Sequence, residues 1–379
     1  MIARPPRGDQ DDARPLRVVI AGGGTGGHLY PGIAVAQAIA ATGGEVVFVG
    51  TERGLETRLV PKAGFQLELI KVSGLKRMGL GGLARGLGRL PRALLESRRI
   101  LSRLRPDVVL GVGGYASGPL VLTAALSGYP TAVQEQNSVP GFTNRILGRF
   151  ARRVFVAFDE AAPAFARRKV RFTGNPVRRE LIERAAAFAG RDATNAKSIL
   201  ILGGSQGSHA VNEFASWMVR VLDARGRLPP IVHQTGPDEH DRMQVHYAAF
   251  GYQDRVQVRA FIDDMPAALA DAQLVVARAG ALTLAELAIM RRPAILIPLP
   301  TAADDHQNTN AFAFQHAGAA LVLPQPEASA TRLGDLVDGI LGDPARHAAM
   351  AEAMGTLARP RATEDVVAEL GAIARRLAR

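Results

Sequence analysis

Residues 273–300 read QLVVARAGALTLAELAIMRRPAILIPLP, and this stretch decides the fold. Its two ends, 273–277 and 294–299, are short apolar runs typical of buried strands, and the Leu/Ala-rich segment between them has helical spacing. Gly280 marks the turn from the first strand into the helix. Strand, helix and strand in this order predict a βαβ unit of a parallel sheet.

The same stretch also offers a binding site. A helix that begins at a glycine turn leaves the backbone N–H groups of residues 280–283 without intrahelical partners, and such a terminus attracts phosphate. Glu286 is expected in the first turn, where it can complement the helix dipole or accept hydrogen bonds from a ribose diol. Residues 304–310, DDHQNTN, follow the second strand at the same sheet edge. An ordinary helix start and a polar loop explain each part alone, but the two in tandem predict a nucleotide-sugar pocket.

Length and composition bound the fold class. The chain has 379 residues, enough for two domains, and its helix-length and strand-length apolar runs alternate, which predicts an α/β fold with parallel sheets. It has no cysteine, so disulfides and thiolate metal sites are excluded. Residues 1–15 mix Pro, Arg and Asp and lack the apolar core of a signal peptide, so we expect a disordered tail.

The net charge of +11 indicates a polyanionic partner such as nucleic acid, anionic lipid or a phosphate-bearing substrate, unless it only reflects an arginine-rich composition. Residues 108–134 carry no charged side chain and are long enough to cross a bilayer. Glycine turns divide this segment, however, so we expect strand, helix and strand rather than a transmembrane helix.

A glycine loop near the N-terminus suggests one alternative function. The predicted strand 16–21 runs into GGGTGGH at 22–28, whose spacing satisfies the dinucleotide fingerprint, with Glu52 after the next strand as a ribose partner. A nicotinamide-dependent oxidoreductase is therefore one interpretation, but the same loop suits a diphosphate or a sugar. His28 would lie at the N-terminus of a helix expected from about 31 to 41. That position favours its neutral, basic form, or makes it a simple polar cap.

Two further loops are expected beside this one. Strands are predicted at 46–49, 65–71, 108–112, 131–134, 154–157 and 170–172. The strand at 108–112 leads into GGYASGP, and the strand at 131–134 leads into EQNSVPG. Because the carboxyl ends of parallel strands share one sheet edge, these loops converge with the first one. They bring together His28, Tyr115, Glu135 and Asn137.

The interval 74–106 is strongly basic. It holds nine Lys and Arg residues against one acid, Glu96, with leucines interleaved. A cation near an anionic leaflet contributes about 1 kcal/mol, so residues 74–95 can dock reversibly on a membrane. No aromatic side chain is present here for base stacking, so nucleic acid is not an expected partner. A solvated helix with its leucines in the core is the alternative.

The layout of residues 16–40 is repeated in the second half. The motif TGNPVR at 173–178 stops regular structure, and the strand 198–202 then leads into GGSQGS at 203–208. We place a domain junction at 174–196. A dehydrogenase needs only one such domain, so the repeat weakens the oxidoreductase interpretation.

Two features complete the second half. Strands are predicted at 231–235 and 256–261, and the backbone of Ile262, just after the latter, could pair with a base edge. An amphipathic helix at 364–377, after the break at Pro360, is expected to cross back to the first domain.

Seven motifs in order carry a family resemblance: GGGTGGHLYPG, GVGGYASGP, QEQNSVPGFTNR, FTGNPVR, GGSQGS, FIDDM and RAGALTLAE. From about residue 17 to residue 376 the chain resembles the MurG family of glycosyltransferase family 28, which transfers N-acetylglucosamine from UDP-N-acetylglucosamine to lipid I. The resemblance implies a GT-B fold, α/β, with two Rossmann-like domains whose parallel sheets face each other across a cleft. It implies a tail at 1–15, an acceptor-binding, membrane-associating domain at 16–175, a UDP-sugar-binding domain at 176–358, and a C-terminal helix at 359–379 that packs back on the first domain.

The resemblance also assigns roles by motif match. Glu286 would hold the ribose, the backbone of Ile262 the uracil, and Gln307 the hydroxyls of N-acetylglucosamine, while His306 stands where relatives have a second Gln. The diphosphate region would be contacted by Ser205 and Arg178, and the phosphates and sugar by Ala281, Leu282, Thr283, Leu284 and Ala285. The first domain would close the donor site with Thr25, Gly26, Gly27 and Asn137, and would bind the acceptor with His28, Tyr115 and Asn137.

The implied reaction is an inverting displacement of UDP by the C4 hydroxyl of the muramoyl sugar, which gives a β-1,4 link in lipid II. His28 is the first candidate for the base and Glu135 the second. Helix N-termini and Arg178 can stabilise the leaving UDP, so neither a metal nor another cofactor is expected to be obligatory. The enzyme would lie on the cytoplasmic face of the inner membrane as a peripheral protein. The alternatives are a GT-B transferase for another lipid acceptor, such as diacylglycerol, and a non-catalytic nucleotide-binding protein.

Overall fold

The structure is a computed structural model that describes residues 15–52, 54–71, 80–188, 197–204 and 206–375. The predicted tail therefore lies almost entirely outside the described residues. The chain forms two compact units, the first made of Met1–Arg178 with Arg361–Arg379 and the second of Arg179–Pro360. Each unit is built on a parallel sheet of its own.

The first unit contains a seven-stranded sheet in which all paired strands are parallel. The strands are β1 (Arg17–Gly22), β2 (Glu45–Gly50), β3 (Gln66–Leu69), β4 (Val108–Gly113), β5 (Thr131–Glu135), β6 (Arg153–Val156) and β7 (Val170–Phe172). Their order is β3-β2-β1-β4-β5-β6-β7. The order reverses between β1 and β4, and a ligand crevice is expected outside the carboxyl ends of those two strands.

Helices cover both faces of this sheet. They are α1 (Gly26–Ala41), α2 (Glu56–Lys62), α3 (Leu80–Leu104), α4 (Ser117–Leu126) and α5 (Phe142–Phe150). Val18 and Ile20 join the core that contains α1, whereas Val19 and Ala21 join the core that contains α4. The strand is apolar at successive positions because both of its faces are buried.

The last helix of the chain, Ala362–Arg375, also packs in the first unit, against α1. Val366 and Leu370 are fully buried in the same core as Ile20. Glu369 Oε2 accepts a hydrogen bond from Arg153 Nε at 2.8 Å, and its Oε1 accepts one from Arg171 Nε at 3.2 Å. These two arginines lie on β6 and β7, so the C-terminal helix is hydrogen-bonded to the last two strands of the first sheet.

The second unit contains a six-stranded parallel sheet of order β10-β9-β8-β11-β12-β13. The strands are β8 (Ser198–Leu202), β9 (Ile231–Gln234), β10 (Val256–Arg259), β11 (Ala272–Ala277), β12 (Ala294–Leu296) and β13 (Ala320–Val322). The helices are α6 (Arg179–Phe188), α7 (His209–Ala224), α8 (His240–Ala249), α9 (Met265–Asp271), α10 (Ala281–Met290), α11 (His306–His316), α12 (Ala330–Leu341) and α13 (Pro344–Thr356). We call the C-terminal helix Ala362–Arg375 α14.

The predicted βαβ unit is formed by β11, α10 and β12. β12 ends three residues earlier than predicted, since Pro298 has no N–H to continue a ladder. The prediction that α1 begins near residue 31 is wrong, because the helix begins at Gly26 after an extended Thr25. The charge-free segment 108–134 forms β4, α4 and the start of β5, and none of the described helices has the length and apolarity to cross a bilayer.

Candidate active site

In the first unit, the loops after β1, β4 and β5 meet at the carboxyl edge of the sheet. The first two approach so closely that a Cβ on Gly114 would lie 2.4 Å from the carbonyl oxygen of Gly23. The φ of +82° at Gly114 also favours glycine. Gln136 Nε2 donates to the carbonyl of Val112 at 2.8 Å, which fixes the third loop on the end of β4. The predicted convergence of these loops is therefore found in the structure.

His28 lies in the first turn of α1, half-buried at this edge. Its Nδ1 is 3.1 Å from Thr25 Oγ1, a contact that orients the ring. The ring also contacts the end of β4, since a Cβ on Gly113 would lie 2.7 Å from His28 Cδ2 and 3.0 Å from Nε2. An imidazole held in this way can accept a proton from a bound hydroxyl.

Glu135, the second candidate base, is 1% exposed at the end of β5. Its Oε1 accepts from the backbone N–H of Asn137 at 3.0 Å, and its Oε2 accepts from Gly141 N at 3.0 Å and Asn144 Nδ2 at 2.9 Å. Burial raises the pKa of Glu135, although these hydrogen bonds oppose the shift. Both carboxylate oxygens thus hold the loop and the start of α5, which favours His28 as the base.

The loop after β1 has an acidic partner that sequence reasoning missed. Glu56, on α2 and 1% exposed, accepts through Oε2 from the backbone N–H of Gly24 at 2.8 Å. Its Oε1 accepts from Thr51 N at 2.9 Å and Thr51 Oγ1 at 2.8 Å. Glu52, the ribose partner in the oxidoreductase interpretation, is exposed. A carboxylate already occupies the loop amide that a dinucleotide phosphate would need, which counts against that interpretation.

The other predicted residues of the first unit lie at the same edge. Tyr115 is 55% exposed and directly follows Gly114. Thr25 and Gly27 are exposed, Gly26 is buried, and Asn137 is half-buried. Arg178, at the end of the first unit, places its guanidinium carbon 5.3 Å from the ring centroid of Tyr30, a cation–π contact.

In the second unit, α10 begins at Ala281 after Gly280, whose backbone is extended. The N–H of Leu284 donates to the carbonyl of Gly280 at 3.0 Å, so by helix geometry the amides of residues 281–283 have no acceptor four residues back. Leu282, Thr283 and Ala285 are half-buried. This is the predicted helix start with the chemistry for phosphate.

Glu286 is 6% exposed and is the sixth residue of α10. Its predicted place in the first turn is wrong, because the helix begins at Ala281 and has no acid in that turn. The helix dipole acts mainly on the first turn. Dipole complementation therefore does not explain this buried carboxylate, and ribose binding stays its prediction.

Gln234, at the end of β9, was not predicted. Its Oε1 accepts from the backbone N–H of Ile262 at 2.9 Å, and its Nε2 donates to the carbonyl of Gly204 at 3.0 Å. It therefore joins the segment expected to bind the base to the glycine loop after β8. Because the amide of Ile262 is engaged, its carbonyl is the backbone group that would accept from the N3–H of uracil.

Arg278, directly after β11, was also missed. It is 9% exposed, and burial lowers its pKa to about 10, so it stays charged at neutral pH. Its guanidinium donates to Ser208 Oγ at 2.7 Å, to the carbonyls of Ile297 and Pro298 at 2.9 and 3.0 Å, and to Gln325 Oε1 at 2.7 Å. These acceptors are all neutral, and no carboxylate forms an ion pair with it in the part of the chain that the structure describes. A buried cation in this state favours an approaching anion.

A buried polar network contacts the glycine loop at 203–208, which follows β8. His233 is fully buried, and burial lowers its pKa to about 3, so it is neutral. Its Nδ1 lies 2.9 Å from Tyr247 Oη and its Nε2 lies 3.1 Å from Asn212 Oδ1. Asn212 Nδ2 donates to the carbonyl of Thr235 at 3.0 Å. A Cβ on Gly207 would lie 2.1 Å from that same carbonyl oxygen, so the network reaches the glycine loop.

Two of the residues predicted to bind the donor substrate remain, Gln307 and Ser205. Gln307 lies in the first turn of α11, and its Oε1 accepts from the backbone N–H of Leu299 at 3.0 Å, so its amide nitrogen would face a sugar hydroxyl as donor. Two consecutive aspartates, Asp304 and Asp305, precede it with φ of 54° and 55°. Such backbone strain often accompanies functional sites. Ser205 lies outside the described residues.

Comparisons with known proteins point to one family and agree with the fold. The model of the glycosyltransferase family 28 N-terminal domain matches residues 18–156, and that of the family 28 C-terminal domain matches residues 198–366. The chain is 48% identical over 356 residues, 93% of this chain and 91% of the relative, to the UDP-N-acetylglucosamine--N-acetylmuramyl-(pentapeptide) pyrophosphoryl-undecaprenol N-acetylglucosamine transferase of Myxococcus xanthus. It is 49% identical to the transferase of the same name from Anaeromyxobacter sp. strain Fw109-5, over 94% of this chain and 93% of that one. The crystal structure of MurG from Acinetobacter baumannii matches with a TM-score of 0.75 and 32% identity, over 94% of this chain and 100% of that one.

Proposed function

This chain belongs to glycosyltransferase family 28, in its MurG group, and from that premise we propose how its residues divide the reaction. The fold is of the GT-B type, with two Rossmann-like α/β domains. The enzyme transfers N-acetylglucosamine from UDP-N-acetylglucosamine to undecaprenyl-pyrophosphoryl-N-acetylmuramyl-pentapeptide, lipid I, and so makes lipid II for peptidoglycan. A diacylglycerol transferase or a non-catalytic nucleotide-binding protein is not favoured.

The second unit binds the donor in this proposal, and the contrast between the two glycine loops is the observation that carries it. The amide of Gly24 in the first unit is already bound to the carboxylate of Glu56. Ser208, which closes the loop after β8, is instead bound to the buried cation Arg278. A diphosphate is repelled by the first arrangement and attracted by the second. Glu286 holds the ribose and the carbonyl of Ile262 reads the uracil.

The first unit binds the acceptor and supplies the base. His28 takes the proton of the C4 hydroxyl while that oxygen forms a bond to C1 of N-acetylglucosamine. The bond from C1 to the β-phosphate oxygen breaks, its electron pair leaves with UDP, and the configuration at C1 inverts. The orientation of His28 by Thr25 supports this role, and Tyr115 and Asn137 would contact the acceptor beside it.

The leaving UDP needs positive potential rather than a particular metal. The amides of Ala281, Leu282 and Thr283, together with Arg278 and Arg178, would supply that potential. Across the described residues, no group of three His, Asp or Glu side chains is arranged to hold an ion. Because backbone amides and guanidinium groups can stabilise the leaving UDP, we propose that no metal or other cofactor is obligatory.

The enzyme would act as a peripheral protein at the cytoplasmic face of the inner membrane, where it would meet anionic lipid and no nucleic acid. Within the basic segment 74–95, side chains are described only from Pro91 onward, and Leu95 is 58% exposed. On the next two helices, Leu126 at the end of α4 is 68% exposed and Phe142 at the start of α5 is 56% exposed. Exposed apolar side chains among arginines suit reversible docking on an anionic bilayer.

The decisive experiment measures transfer of radiolabelled N-acetylglucosamine from UDP-N-acetylglucosamine to a short-chain lipid I analogue, with diacylglycerol as the competing acceptor. We expect a β-1,4-linked product with lipid I only, at a rate that excess EDTA leaves unchanged. Transfer to diacylglycerol alone, or donor binding without transfer, would exclude the function. Loss of activity in EDTA that magnesium restores would exclude only the metal-independent mechanism.

A further inference from the structure

A buried acid in the first unit holds the loop that leads to His28, and the reaction described above does not use this acid. We propose that Glu56 is a positioning residue, whose carboxylate fixes the backbone of Gly24 and thereby sets His28 for proton transfer. This inference rests on the proposed function, because that function makes His28 the base. Glu56 itself is 1% exposed, so it acts through the loop rather than on the substrate.

Three glycines leave room for this single carboxyl group. A Cβ on Gly23 would lie 2.3 Å from Glu56 Cδ, a Cβ on Gly50 would lie 2.6 Å from Cγ, and a Cβ on Gly54 would lie 1.8 Å from Oε2. Real Cβ atoms do not approach other atoms so closely. The loop after β1, the end of β2 and the segment before α2 therefore close around one side chain, and each is glycine at the point of contact.

The hydrogen-bond chemistry selects a carboxylate at this position. The partners of Glu56 are two backbone N–H groups and the hydroxyl of Thr51, and all three can donate. A carboxylate only accepts, whereas the amide of Gln would set its own NH2 group against one of these donors. Within the described residues, these neutral groups rather than a cation stabilise the buried charge. Hydrogen bonds to a charged group are also the stronger kind.

The backbone of Gly24, which Glu56 holds, is joined to the proposed base His28 through Thr25. Gly24 has a φ of +89° and precedes Thr25. The carbonyl of Thr25 accepts from the N–H of His28 at 3.3 Å, and its Oγ1 lies 3.1 Å from His28 Nδ1. A shift of Gly24 would therefore pass through Thr25 to the imidazole. Misplacing a catalytic group by about 1 Å can cost on the order of a hundredfold in rate.

The test compares Glu56→Gln and Glu56→Asp with the exposed control Glu45→Gln, in the full-length enzyme. Gln keeps the size and loses the charge, while Asp keeps the charge and shortens the reach by about 1.5 Å. We measure kcat and KM for transfer to the short-chain lipid I analogue, UDP affinity by calorimetry, and amide hydrogen exchange by mass spectrometry. For both Glu56 variants we expect kcat to fall at least about tenfold, UDP affinity to stay within about twofold, and exchange to rise only around residues 22–30. Glu45→Gln should match the wild type in all three.

The three readouts separate the outcomes. Wild-type kcat in both Glu56 variants would overturn the inference, and so would a parallel loss of kcat and UDP affinity, since that indicates general loss of structure. If the wild type itself transfers no sugar, the proposed function fails. Exchange still decides the positioning role in that case, because unchanged exchange around residues 22–30 in Glu56→Gln would refute it.

Discussion

Glu286 and Arg278 are both buried near the carboxyl edge of the second sheet, and the proposed function assigns them to two parts of one ligand, the ribose and the diphosphate. A carboxylate can accept two hydrogen bonds from a ribose diol, and a hydrogen bond to a charged group contributes roughly 1.5–3 kcal/mol. We expect Glu286→Ala to weaken the binding of UDP at least about tenfold, as measured by calorimetry, and to raise the KM for the donor. The exposed Glu352→Ala on the same unit is the control. Unchanged UDP affinity in Glu286→Ala would remove Glu286 from the ribose site.

The role of Arg278 can be separated from simple packing by comparing Arg278→Lys with Arg278→Gln. If its charge serves the diphosphate, Gln should weaken UDP binding by on the order of tenfold or more, since hydrogen bonds of charged groups are about twice as strong as neutral ones. Lys should retain most of the affinity, and uridine, which has no phosphate, should bind all three proteins alike. Equal losses for UDP and uridine would instead indicate that Arg278 only holds β11, β12 and the loop together.

The site residues that the sequence predicted lie within local motifs, whereas those it missed act across the fold. His28 and Ile262 follow a strand and a loop that can be recognised from the chain. Glu56 binds an amide 32 positions away, and Arg278 binds a hydroxyl 70 positions away. No rule of local sequence spacing predicts contacts between residues so far apart in the chain. For Arg278 the available signal was a lone charge in the otherwise uncharged stretch 272–284, whereas Glu56 lies among the charged residues Glu52 and Arg58 and gave no such signal.

At the scale of elements, periodicity predicted most strands because most of them are buried apolar runs followed by a glycine or polar turn. β13, Ala320–Val322, was missed, although β7 has the same length of three residues and was predicted. The start of α1 was misplaced because five glycines between residues 22 and 27 suggested a loop. In the structure the last of them are helical, which brings His28 into the first turn.

The helix α5 gives an element-scale prediction for membrane docking. Phe142, Ile146 and Phe150 are spaced by four residues on one face and are 56%, 37% and 47% exposed, with Arg145 and Arg149 beside them. Burying one such side chain contributes about 1.5–3 kcal/mol. Changing all three to Ser should lower co-sedimentation with anionic vesicles at least about tenfold and leave transfer to a water-soluble acceptor intact.

Val245→Ser is the matched control for that experiment, because Val245 is 69% exposed but lies on the second unit. It should bind vesicles like the wild type. If the triple variant also does so, α5 is not part of the docking surface. If Val245→Ser loses binding equally, the attachment is not confined to the first unit.

At the scale of the whole molecule, the two units share a Rossmann-like fold and differ in the charged side chain that contacts the glycine loop after the first strand of each sheet. The first unit has an internal carboxylate at that position, and the second has a buried guanidinium behind it. Periodicity could predict both sheets, but it could not assign the ligands, since the assigning charges come from other elements. The family resemblance implies that assignment, and the contacts of Glu56 and Arg278 support it as a proposal.

The return of α14 to the first unit makes the stability of that unit depend on the last residues of the second half of the chain. Burial alone would raise the pKa of Glu369, but the hydrogen bonds from Arg153 and Arg171 outweigh it and lower the pKa. A carboxyl group whose pKa is lower in the folded state stabilises the fold above its unfolded pKa, near 4.5, and loses that contribution as pH falls through the folded value.

At neutral pH we therefore expect Glu369→Gln to lower the melting temperature by about 1–4 °C, the shift for a partly exposed pair of up to about 1 kcal/mol. The difference between variant and wild type should shrink steadily below pH 4.5. Saturating UDP should stabilise both proteins equally, because the proposed donor site lies in the second unit. A difference that is constant from pH 7 to pH 3 would show that Glu369 acts by packing rather than by charge.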